Sequence, residues 1–111
     1  MMATRELEKL RANLDRLDRR LVEILHERLQ AVAEIARLKA EGLPFLRDHE
    51  REAQLLGRIE EWARELGIDE FRTQEIFREV IAMSLKAQEE ALLKRDQAQR
   101  SIRTAHRVSF Q

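Results

Sequence analysis

The sequence has no cysteine and no tyrosine, one proline and three glycines in 111 residues. Without cysteine there is no disulfide framework and no thiolate nucleophile. So few helix breakers argue for long helices. No charge of one sign dominates. Lys and Arg together number 21, as do Asp and Glu, so the formal net charge is zero. A bulk attraction to nucleic acid or to an anionic membrane surface is therefore not expected. No apolar run approaches the roughly 18 residues of a membrane span. The first ten residues, MMATRELEKL, contain no apolar core of a secretory signal, which makes the cytoplasm the default compartment. His26, His49 and His106 are scattered rather than set at metal-ligand spacing, so neither a metal nor a cofactor is expected.

What is present is a chain that is 43% hydrophobic and 38% charged, long enough for one domain or less. Leu7, Leu10, Leu14, Leu17, Leu21 and Ile24 recur at alternating steps of three and four, continued by Ala31, Ile35 and Leu38. This predicts a first helix from an N-cap at Thr4 to about residue 41, over ~50 Å long. So long a stripe cannot be buried inside a single chain of this size, and a second chain is the expected partner. Gly42 and Pro44 end the helix. A second helix is predicted over about 48–66, with Leu55, Leu56, Ile59, Trp62, Ala63 and Leu66 facing inward and Gly67 closing it. Asp69 suits the cap of a third helix over about 70–93, with Phe77, Val80, Ile81, Leu85 and Leu92 on its inner side. Residues 94–111 read as a basic linker. They carry Lys94, Arg95, Arg100, Arg103 and Arg107 against Asp96, show no helical apolar stripe, and end in RVSFQ, which alternates like a strand.

Polar residues interrupt all three inner faces. Steps of seven from Leu7 pass through Leu14 and Leu21 to Arg28, then through Val32 and Ile35 to Lys39. Arg28 and Lys39 lie about 20° apart around the helix and roughly 16 Å apart along it, so two cations can converge on one anion. In helix two the inward series steps back from Leu55 to Glu52, with Asp48 and Arg51 on the same side. In helix three the series runs on to Ser84 and Gln88. Each has a plainer explanation: an arginine can snorkel, Asp48 can cap, and Glu52, Ser84 and Gln88 can pair with neighbours. Their coincidence on three helices suits a small, multiply anionic ligand, because buried charge without a partner is costly. Arg11 lies about 25 Å before Arg28 and about 100° around the helix. It cannot reach the same ligand within one chain; an antiparallel partner chain could bring it there, and its spacing alone fits a surface residue equally well.

These residues, in LRANLDRLDRRLVEILHERLQAVAEIARLKAE, PFLRDHEREAQLL and FREVIAMSLKAQEEAL, closely resemble the all-helical class of chorismate mutase over residues 7–92. The resemblance implies an all-α fold with one long and two shorter helices per chain, intertwined as a homodimer with two equivalent sites. It implies that Arg28 and the partner's Arg11 bind substrate carboxylates. Lys39 and Gln88 would meet the enolpyruvyl ether oxygen, Lys39 touching a carboxylate as well. Glu52 and Asp48 would hold the ring hydroxyl, and Ser84 and Arg51 would line the ring-carboxylate side. HRVSFQ resembles the opening strand of the prephenate dehydratase that follows the mutase in a subset of the family, so residues 1–93 are expected to be the mutase domain.

The implied reaction, chorismate to prephenate, is a unimolecular pericyclic rearrangement in phenylalanine and tyrosine biosynthesis. It needs no nucleophile, metal or proton transfer. Relatives on the same scaffold, isochorismate-pyruvate lyase and aminodeoxychorismate mutase, are the neighbouring alternatives. A non-catalytic helical dimerisation module is the alternative of another class. It predicts apolar residues at the seam positions of Arg28, Lys39 and Gln88.

Overall fold

The computed structural model describes residues 2–42 and 48–109, with side chains described over 2–39 and 48–103. Three helices make up the described chain: α1 (Met2–Gly42), α2 (His49–Leu66) and α3 (Glu70–Ser109). The fold is all-α, with no strand among the described residues.

α1 is 41 residues long, close to ~60 Å at 1.5 Å per residue. It starts at Met2, so Thr4 sits in the first turn rather than at the cap, and it includes Gly42. Pro44 and its neighbours at 43–47 lie outside the described residues. α2 begins where its sequence predicts. The Asp48 carboxylate accepts a hydrogen bond from the Arg51 backbone N–H at 2.9 Å. That satisfies one of the donors a helix start leaves unpaired. α2 ends at Gly67 with φ 73°. The Gly67 N–H reaches the Arg64 carbonyl at 3.2 Å and the Ile68 N–H reaches the Ala63 carbonyl at 3.0 Å, the paired bonds of a Schellman cap. Asp69 then starts α3 by accepting from the Arg72 N–H at 2.7 Å.

Arg64 braces this turn. Its Nε and Nη2 donate to the two Glu70 oxygens at 2.9 and 3.2 Å, and Nη2 also donates to Glu60 at 3.1 Å. The hydrogen bond and the charge of Glu70 raise the Arg64 pKa above its ordinary value. The side chains are exposed, so the clamp adds little stability and mainly fixes the geometry of the turn.

α3 packs against both α1 and α2, which do not pack on each other among the described residues. The buried apolar residues described are few: Ala36 on α1, Ile59 and Ala63 on α2, and Val80 and Ile81 on α3. Gln74 on α3 also donates to the Leu56 carbonyl on α2 at 3.0 Å. The shape is elongated, 78 × 36 × 15 Å, with a radius of gyration of 21.0 Å. A globular chain of this length has about 13 Å. The accessible surface of 9745 Å² likewise exceeds the ~6,400 Å² usual for a folded monomer of this mass.

Two expectations are corrected. The third helix does not stop at Leu93 but continues to Ser109, and residues 107–109 are helical rather than extended. Phe110 and Gln111 lie outside the described residues. Residues 94–103 contain Lys, Arg, Gln and Ala but no glycine or proline. They lack a stripe to bury, yet nothing in them stops a helix already under way. The second correction concerns inward faces. Trp62 is 50% exposed and Leu66 75%, so neither faces a core within this chain, whereas the exposed α1 leucines from Leu7 to Leu21 are what a stripe too long for one chain to bury leads one to expect. α3 covers one strip of each neighbour and no more. No helix among the described residues is long and apolar enough to cross a membrane.

Candidate active site

The three helices surround a cavity of about 440 Å³. α1 contributes Arg28, Val32, Ile35 and Lys39, which its 3.6-residue period sets in one row. The cap of α2 turns the chain so that Asp48, Arg51 and Glu52 meet that row, with Leu55 one turn deeper. α3 supplies Ile81, Ser84, Leu85 and Gln88. Seven of the eight candidate residues thus share one space: Arg28, Lys39, Asp48, Arg51, Glu52, Ser84 and Gln88. Arg11 does not join them. It is exposed on the first third of α1. The apolar lining residues are the same seam positions that the periodicity marks as core.

The wall is mixed in charge, with three cations and two carboxylates. One Asp48 oxygen is engaged in capping α2. The Glu52 side chain is only 18% exposed, and His49 Nδ1 lies 3.9 Å from it at the outer edge. Arg28 Nη1 donates to Ser84 Oγ, which in turn donates to the Val80 carbonyl at 2.7 Å. No buried side-chain polar atom among the described residues lacks a partner. Lys39 and Gln88 are half-buried in the wall, with no side-chain hydrogen bond to another described residue. Desolvating such donors is unfavourable unless something in the cavity accepts from them. Chemically, the wall offers cations and amide donors for an anion and a carboxylate for a hydroxyl or amine.

A family model described as chorismate mutase type II matches residues 10–89. The chain belongs to the chorismate mutase type II family. No match was found among curated proteins or solved structures. The family span takes in all eight candidate residues, Arg11 among them, and stops before the basic end of α3. Membership in the chorismate mutase type II family carries chorismate mutase-type activity, an isomerisation.

Proposed function

We propose that this chain converts chorismate to prephenate in the cavity between α1, α2 and α3, acting as a homodimer in which the partner supplies Arg11. The observation that carries this reading is the meeting of Arg28, Lys39, Glu52 and Gln88 from three helices around one space. A dicarboxylate with one ring hydroxyl and one ether oxygen answers each of them. Arg28 and the partner's Arg11 bind the carboxylates, with Arg51 and Ser84 on the ring-carboxylate side. Glu52, beside Asp48, accepts from the hydroxyl.

Two effects then accelerate the rearrangement. Binding at both ends folds the enolpyruvyl arm over the ring, so the carbons that will join start within reach. As the C–O bond breaks, negative charge grows on the ether oxygen, and the Lys39 ammonium and Gln88 amide donate to it. Both donors gain most as the charge develops, so they favour the transition state over the bound substrate.

The dimer is supported by surface that one chain leaves open. Leu7, Leu10, Leu14, Leu17 and Leu21 are 41–62% exposed along one helix. The same stretch of α1 carries Arg11. The deciding experiment mixes purified protein with chorismate and follows loss of its absorbance, with prephenate identified as product. Isochorismate and aminodeoxychorismate are run in parallel. Turnover of either in preference to chorismate overturns the substrate assignment, and no turnover of any of the three favours the dimerisation module.

A further inference from the structure

We propose that a second cleft, between the last turns of α1 and the basic stretch of α3, binds a small dianion through Arg37, Lys94 and Arg95. The cleft measures about 380 Å³ and is lined by these three residues and Ala91. It shares no residue with the candidate active site. Arg37 stands two positions before Lys39, about 160° around α1, so it turns away from the larger cavity. Lys94 and Arg95 lie beyond the family match, which ends at residue 89.

Three cations share this cleft in a chain whose formal net charge is zero. Other arginines meet a carboxylate on their own helix, as Arg19 meets Glu23 and Arg72 meets Glu75. Arg37 does so only in part. Its Nη1 donates to Glu34 at 2.9 Å, which leaves most of the guanidinium's five N–H donors unused. Lys94 and Arg95 make no hydrogen bond or ion pair with another described residue. For Arg95 the helix offers none: the positions three and four away are Ala91, Leu92, Ala98 and Gln99. Arg95 is nonetheless half-buried. A partly desolvated guanidinium without an acceptor is unfavourable. The helix dipole does not compensate, because α3 runs on to Ser109 and its negative end lies well past Arg95. Three positive charges less the carboxylate of Glu34 leave an excess of two, which a dianion rich in oxygen acceptors neutralises. The arginine forks suit the oxygen pairs of a phosphate or a carboxylate, and Lys94 adds a point charge. The bound anion bridges α1 and α3, the helices that carry Lys39 and Gln88, without entering their cavity.

Backbone amide NMR of the purified protein tests the site. The protein is titrated with inorganic phosphate and, separately, with succinate, each against sodium chloride of equal ionic strength. Saturable shifts are expected at residue 37 and over residues 91–95. Saturation by phosphate alone identifies a phosphate site, and saturation by succinate alone a dicarboxylate site. Arg37→Gln and Arg95→Gln, one on each helix, are each expected to weaken affinity at least about tenfold, the scale of a hydrogen bond to a charged group. Arg95→Lys keeps the charge and is expected to retain measurable binding. Shifts that grow linearly and match those in chloride overturn the proposal, because they report screening alone. Shifts confined to the residues of the larger cavity, or affinity indifferent to both glutamine substitutions, overturn it as well. None of these readouts involves turnover, so the site stands or falls independently of the chorismate reading.

Discussion

Lys39 and Gln88 carry the chemistry on this reading, and both are half-buried in the wall of one cavity. Lys39→Ala removes a donor aimed at developing charge. A loss of about 10²–10³ in kcat/KM is expected, with circular dichroism and molecular mass in solution unchanged. Near-normal turnover in that variant would remove Lys39 from the mechanism. The Gln88 amide does not titrate, so this donor stays intact at every working pH. Chorismate turnover should accordingly be flat from about pH 6 to 8. A steep acid limb would mean that a titrating group holds the ether oxygen. At this scale the sequence is informative because of a contradiction within it. The leucine seam of α1 predicts apolar residues at 28 and 39, and the Phe77, Val80 and Ile81 series of α3 predicts them at 84 and 88, yet each of the four positions is polar. The Arg28 to Ser84 to Val80 chain was not legible, since a hydroxyl's choice of partner depends on the spacing between α1 and α3.

Elements are set by local chemistry that can be tested independently of the site. Gly67 holds φ 73° at the end of α2, and a Cβ there would meet nothing within 4 Å. The cost of Gly67→Ala is therefore backbone strain alone, about 1–2 kcal/mol. Gly57 lies inside α2, also with open space around its Cβ position. Gly57→Ala should stabilise by about 0.5–1 kcal/mol through helix propensity. Thermal melts of the two variants should move in opposite directions. Shifts of the same sign would show that the turn between α2 and α3 is not the cap described. Asp48, Gly67 and Asp69 were readable as punctuation because each acts on its own backbone within a few residues. The extent of α3 was not. Its basic end has helix-forming residues without a face to bury, and periodicity reports burial rather than helicity.

At the scale of the whole molecule the chain resembles part of a larger object. Its radius of gyration of 21.0 Å and its exposed leucine row leave much apolar surface open to water. Arg11 lies on the same helix, outside the cavity that holds the other seven candidates. If two chains pair antiparallel through that row, each cavity receives Arg11 from the opposite chain. This separates the two residues genetically. Arg11→Ala and Lys39→Ala are each expected to be severely impaired as homodimers, since both sites lack a group. After the two variants are unfolded and refolded together, mixed dimers form. One site in such a dimer lacks both the arginine and the lysine, and it is inactive. The second site draws Arg11 from the Lys39→Ala chain and Lys39 from the Arg11→Ala chain, and it is complete. Random pairing makes half the dimers mixed, so about a quarter of wild-type activity should return. Were Arg11 to serve its own chain's site, mixing would restore nothing, because no combination would then place both groups in one cavity.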